Sequence, residues 1–135
     1  MNRVENIYKI LDNANVDEKV GVKLARICEG ETFNLYVLEI PAKKRVGAHY
    51  HTIGNETYQI IQGSMMIGKK DCDTIIWSEP KNMNEGDCLN VNANEIHQLI
   101  NLTDKALICI VGCSNSHITT DRIMTKGYEN IIWKH

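Results

Sequence analysis

The sequence predicts an all-β fold, a small sandwich or barrel with one short helix in front of it. Three observations carry this. Short runs of β-favouring residues follow one another at close spacing from residue 20 onward. Gly and Asn punctuate those runs. Helical periodicity is confined to the first turns of the chain.

Val4, Ile7, Tyr8 and Leu11 recur at i, i+3, i+4 and i+7, the stripe of a short amphipathic helix that ends near Asn13–Asn15. VGVKLARI (20–27) and FNLYVLEI (33–40) read as strands on either side of a Glu29-Gly30-Glu31 turn. TYQII (57–61) turns at Gly63-Ser64 into MMIG (65–68), and TIIW (74–77) is another short strand. SEPKNMNEG (78–86) reads as a loop. CLNV (88–91), HQLIN (97–101) and ALICIVG (106–112) complete the set. Residues 113–135 read as an extended cap or a contact with a second subunit. The organisation expected is one domain over 1–135: helix and linker at 1–18, barrel at 19–112, cap or dimer segment at 113–135.

At 135 residues, the chain can bury a core without disulfide staples. Its net charge of −2 and scattered Lys and Arg argue against a nucleic-acid partner. Lys43, Lys44 and Arg45 form a small solvated cluster. The N-terminus has no apolar signal region and no run is long enough to span a bilayer, so no membrane association and a cytoplasmic location are expected. Five cysteines, an odd number with no CxxC pair, fit reduced thiols. Cys88 and Cys109 lie in apolar runs and are expected to be buried.

The stretch GAHYHTIGNETYQIIQG (47–63) carries the chemistry. Side chains on a strand alternate faces, so His49 and His51 point the same way, about 6.5–7 Å apart. Two imidazoles at that spacing can converge on one ion. On the next strand Glu56, Tyr58 and Ile60 share a face, and Glu56 can add an oxygen. Two His and one carboxylate form the facial set of non-haem iron sites, with positions left open. An HxH alone is also what paired surface or hydrogen-bonded histidines look like.

GDCLNVNANEIHQLIN (86–101) adds weight. Together the two stretches resemble the paired motifs of the cupin superfamily. His49, His51, Glu56 and Gly63 meet the first motif's spacing, and Gly86, His97 and Asn101 meet the second's. The resemblance implies a small double-stranded β-helix, or jelly-roll, barrel. It also implies one divalent metal (Fe, Mn, Ni, Co, Cu or Zn) held by His49, His51, Glu56 and His97. Three departures stand out: Lys43 occupies the first motif's leading glycine, and Asn92 and Asn94 replace the second motif's Pro and Gly. Asn tolerates positive φ, so Asn94 can still make the glycine's turn. Burying three histidines and a glutamate without an ion would be costly, which favours a loaded site. Three neutral imidazoles and one carboxylate leave a divalent ion with a net charge near +1, suited to polarising an anionic oxygen.

The function implied is a metal-dependent enzyme on a small polar metabolite, of dioxygenase, isomerase/epimerase or decarboxylase class. The alternative is a ligand-binding or sensor barrel without turnover. Small barrels of this family are often homodimers, and VGVKLARI and NIIW fit such a contact. Tyr58 reads either as a catalytic acid in the pocket or as a core aromatic with its hydroxyl satisfied. Met65 and Met66 read as lining or core. His117 and His135 lie outside the motifs, and His117 is expected at the surface. Arg122 and Lys126 could meet a substrate carboxylate or phosphate, though solvated charge is the default. Trp77 and Trp133 read as packing residues.

Overall fold

The computed structural model describes residues 3–17, 22–71 and 81–125. The single helix among them, α1 (Ile7–Asn13), is started by Asn6, whose Oδ1 accepts hydrogen bonds from the backbone N–H of Tyr8 at 3.0 Å and Lys9 at 3.2 Å. That cap moves the apolar stripe. Val4 falls before the helix and is fully exposed, Tyr8 is half exposed, and the packed face is Ile7, Ile10 and Leu11. The helix ends within the expected window, at Ala14.

Ten strands follow among the described residues: β1 (Lys23–Glu29), β2 (Phe33–Ile40), β3 (His49–Tyr50), β4 (Glu56–Gln62), β5 (Met65–Asp71), β6 (Lys81–Met83), β7 (Cys88–Val91), β8 (Glu95–Ile100), β9 (Leu107–Ser114) and β10 (Ile123–Met124). They form two five-stranded antiparallel sheets, ordered β1-β2-β9-β4-β7 and β10-β3-β8-β5-β6. The expected loop at 78–86 contains β6, which pairs Met83 with Met65 and buries both. One methionine gives a polar stretch enough apolar grip to hold a sheet edge. The TIIW strand, Trp77, Trp133, NIIW, Lys126 and His135 lie outside the described residues.

The inward faces of both sheets share one core, including Tyr36, Leu38 and Ile40 of β2, Ile60 of β4 and Leu107 of β9. The central strands β2 and β9 are covered on their outer face too, where Leu11 of α1 meets Val37 and Ile108. Burying a leucine-sized side chain contributes about 1.5–3 kcal/mol, so even a two-turn helix is held by its contacts. Cys109 is buried as expected, but Cys88 is exposed. It lies on the edge strand β7 and alternates outward while Val91 turns in. No helix among the described residues is long and apolar enough to cross a membrane.

The motif departures resolve in the backbone. Asn94 takes φ +65°, the left-handed turn expected of it. Lys43, at the family's glycine position, also takes positive φ, +62°. Gly63 takes φ +85°, and a Cβ there would sit 3.1 Å from the Ala106 carbonyl oxygen, so any other residue is strained at this turn. Asn101 is a suture. Its Nδ2 donates to the carbonyls of Ile40 (3.0 Å), Pro41 (3.1 Å) and Lys105 (2.8 Å), and its Oδ1 accepts from Thr103 N (3.0 Å) and Oγ1 (2.7 Å).

Candidate metal centre

The ladder of the second sheet places His49 of β3 directly opposite His97 of β8, with ring centroids 4.3 Å apart. His51 follows on the same face, just past the end of β3. Glu56 opens β4 in the facing sheet and reaches across. One ligand atom from each of His49, His51, Glu56 and His97 can be chosen so that all four lie within 4.8 Å of one another. All four residues are buried.

Backbone carbonyls set the protonation of the three rings. His49 Nδ1 donates to Gly47 O at 2.8 Å, His51 Nδ1 to Asp121 O at 2.5 Å, and His97 Nδ1 to Glu95 O at 3.0 Å. A carbonyl only accepts, so each Nδ1 carries the hydrogen and each neutral ring keeps a bare Nε2. His51 Nε2 lies 3.1 Å from Glu56 Oε2 and His97 Nε2 lies 3.2 Å from Oε1. The His51 contact lacks hydrogen-bond geometry, so that buried nitrogen has no hydrogen-bond partner. Bare nitrogens facing carboxylate oxygens are acceptors facing acceptors. A cation between them, or an extra proton on each ring, reconciles the arrangement. The surroundings oppose the proton at His49: burial first, then the neighbouring His97, push its pKa down to about 3. Three imidazoles and one carboxylate with ligand atoms within 4.8 Å of one another are a donor set that fits a metal ion.

Glu56 is the hub. Burial works to raise its pKa, but where the facing nitrogens of His117, His51 and His97 carry protons, their hydrogen bonds outweigh this and hold it ionised far below the usual carboxylate range; a bound ion would take the place of those protons. The Tyr58 hydroxyl donates to Glu56 Oε1. Burial, reinforced by Glu56, raises the phenol well above its ordinary pKa, so Tyr58 stays neutral. Tyr58 thus sits in the core with its hydroxyl satisfied, while its side chain also borders the cavity.

His117 overturns its expectation. It lies in the turn after β9, fully buried, with Nδ1 3.1 Å from Glu56 Oε2 and Nε2 donating to the Ile53 carbonyl. Its ring stacks on His51 with centroids 4.1 Å apart. Asp121 was not anticipated at all. Its carboxylate accepts from Thr52 N at 2.8 Å, Thr52 Oγ1 at 2.7 Å and Ile53 N at 2.8 Å, while its carbonyl holds His51. No periodicity marks either residue. The only available signal was the spacing of a His and an Asp four apart in a polar turn, SHITTDR.

A cavity of about 90 Å³ opens beside the cluster, bordered by His49, His51, Glu56 and Tyr58, with Leu99 and Arg122 among its other walls. Arg122 is exposed, as expected by default, but it also reaches this wall and adds to the depression of the His49 pKa.

No family model matches the sequence, and no curated protein matches it. Solved structures do match. A Klebsiella pneumoniae protein described by its double-stranded β-helix domain superposes with a TM-score of 0.70 at 12% identity, over 94% of this chain and 100% of that one. Drosophila melanogaster CENP-C bound to CAL1 gives 0.67 at 12% identity, over 80% and 82%. The CENP-C domain solved separately is a cupin domain. The fold is a cupin barrel. The capsular polysaccharide assembling protein CapF of Staphylococcus aureus gives 0.75 at 15% identity; the match covers 84% of this chain and 32% of CapF. Those neighbours differ widely in what they do, so the likeness places the barrel and leaves the chemistry to the side chains.

Proposed function

We propose that this cupin holds one divalent transition metal through His49, His51, Glu56 and His97 and acts as a metal-dependent enzyme on a small polar metabolite. The reaction belongs to the dioxygenase, isomerase/epimerase or decarboxylase classes. The observation that carries the reading is the set of three Nδ1···O=C contacts, which fix the rings of His49, His51 and His97 so that ligand atoms of all three lie within 4.8 Å of the Glu56 carboxylate. When bound, the ion supplies Lewis-acid or redox chemistry at the positions these four side chains leave open.

The chain's own residues do the rest. The carbonyls of Gly47, Glu95 and Asp121 orient the rings before any ion arrives. Tyr58 fixes one oxygen of Glu56. Leu99 and its apolar neighbours dry the cavity, and Arg122 offers positive charge to an anionic group of the substrate. The cavity volume suits a reacting portion of only a few heavy atoms. Ligand binding without turnover is the second reading. It is supported by the two nearest candidates for proton transfer both being occupied: the Tyr58 hydroxyl hydrogen-bonds Glu56, and Glu56 faces three imidazoles.

The test is elemental analysis of untagged protein purified without chelator, beside His97→Ala. The expected result is about one equivalent of transition metal that the variant loses. A parent that takes up no metal after anaerobic loading with Fe(II), Mn(II), Ni(II) and Zn(II) overturns the proposal. Turnover against a panel of small hydroxy and keto acids and sugars, with oxygen uptake recorded, separates the enzyme from the binding module.

A further inference from the structure

Four histidines surround Glu56, and only three belong to the motif set. His117 repeats the logic of the others with the ring reversed. Its Nε2 is committed to the Ile53 carbonyl, and Nδ1 lies 3.1 Å from Glu56 Oε2, where a metal ion would stand in for the proton between them. A thiol lies beside it. Thr57 of β4 pairs with Gly112 of β9, which brings Glu56 and Cys113 side by side on the inward face at the ends of those strands. Cys113 is 1% exposed. Donor atoms of Glu56, Cys113 and His117 all lie within 4.8 Å of one another.

We propose that Glu56, Cys113 and His117 form a second, thiolate-containing metal site that shares Glu56 with the first, so that the carboxylate bridges two ions. The inference rests on the metal reading of the first site through that shared glutamate. Glu56 faces both donor sets: Oε1 meets His97 and Tyr58, and Oε2 meets both His51 of the first site and His117 of the second. Bond lengths to a tetrahedral ion, about 2.0 Å for nitrogen and oxygen and 2.3 Å for sulfur, put donors roughly 3.3–3.8 Å apart. The cluster closes onto an ion with side-chain movements of about 1 Å. One sulfur, one nitrogen and one oxygen select a borderline-soft ion such as Zn(II) or Co(II) over Mg(II) or Ca(II). Binding forms the metal–sulfur bond as the thiol proton leaves to solvent. The three donors leave a fourth position open, which makes the pair a two-ion centre rather than a closed structural site.

Anaerobic titration of the chelator-stripped full chain with Co(II) tests this. Two equivalents are expected, the second bringing a near-ultraviolet thiolate-to-cobalt charge-transfer band. Cys113→Ser is expected to lose that band and the second equivalent while keeping the first. Cys28→Ser/Cys72→Ser/Cys88→Ser is expected to keep both. If Cys113→Ser does not fold, by circular dichroism, His117→Gln gives the same readout from a turn position. One equivalent with no thiolate band overturns the second site and leaves the first standing. A band that survives Cys113→Ser also overturns it, since another thiol is then the ligand. No Co(II) uptake by the parent overturns both sites together.

Discussion

The two ends of the barrel interior are built from the same strands and could hardly differ more. Along the inward face of β4 the residues run Glu56, Tyr58, Ile60; along β8 they run His97, Leu99; along β9 they run Cys113, Val111, Cys109, Leu107. At one end imidazoles crowd a carboxylate, and about 7 Å along β8 and β9 the lining is aliphatic and close-packed. Tyr58 stands at the boundary, its ring in the apolar core and its hydroxyl on Glu56. The lesson is that a period-2 strand changes its internal solvent in a single step. The apolar end supplies folding energy, and the polar end carries groups that cost it.

Substitutions on β4 alone should separate the two ends. Ile60→Ala empties space at the apolar end and is expected to cost about 2–5 kcal/mol. Its urea midpoint should fall sharply while the metal stoichiometry of the folded fraction stays at the parent value. Loss of metal in proportion to stability would show that the ends are not independent. Tyr58→Phe removes one charge-assisted hydrogen bond from a buried carboxylate, with an expected cost of about 1.5–3 kcal/mol in metal-free protein. Because an ion satisfies Glu56 too, that penalty should shrink on loading; an equal penalty with and without metal would assign Tyr58 to packing alone.

A further effect is in the acid response of the metal-free form. The folded-state pKa of His49 is lowered from 6.5 to about 3, so below pH 6.5 the unfolded chain takes up a proton that the folded chain refuses. Stability present above pH 6.5 is therefore lost as pH falls toward 3, with a slope of at most about 1.4 kcal/mol per pH unit from this residue. Urea melts of metal-free parent and His49→Gln at pH 7, 6 and 5 should diverge, the variant falling less. Parallel curves would remove His49 from the account.

What could be read beforehand follows the physics of periodic structure. Alternating apolar residues announced β2 and β7 to the residue, and motif spacing selected His49, His51, Glu56 and His97, whose ligand atoms the fold brings together. Asn94 was expected at positive φ because its side chain tolerates that region. The failures lie where long-range partners decide. His117 carries no apolar pattern, and its burial depends on Glu56 and Ile53, sixty residues away in sequence. Asp121 matters through the backbone of Thr52 and Ile53. β6 hides in a polar stretch because one methionine suffices when a neighbour such as Met65 is waiting. Val4 dropped out of its helix because a capping Asn outranked periodicity.

The outer face of the first sheet holds a further consequence. A seven-residue helix has no stability of its own in water, so α1 forms only once Val37 and Ile108 are in place to receive it. The sheet in turn presents bare aliphatic surface until the helix lands. The helix is thus expected to form only on an assembled sheet and to fray early on heating. Each departure uncovers an apolar strip around Val37 of β2 and Ile108 of β9, so seven residues far from the metal centre are expected to affect aggregation on heating.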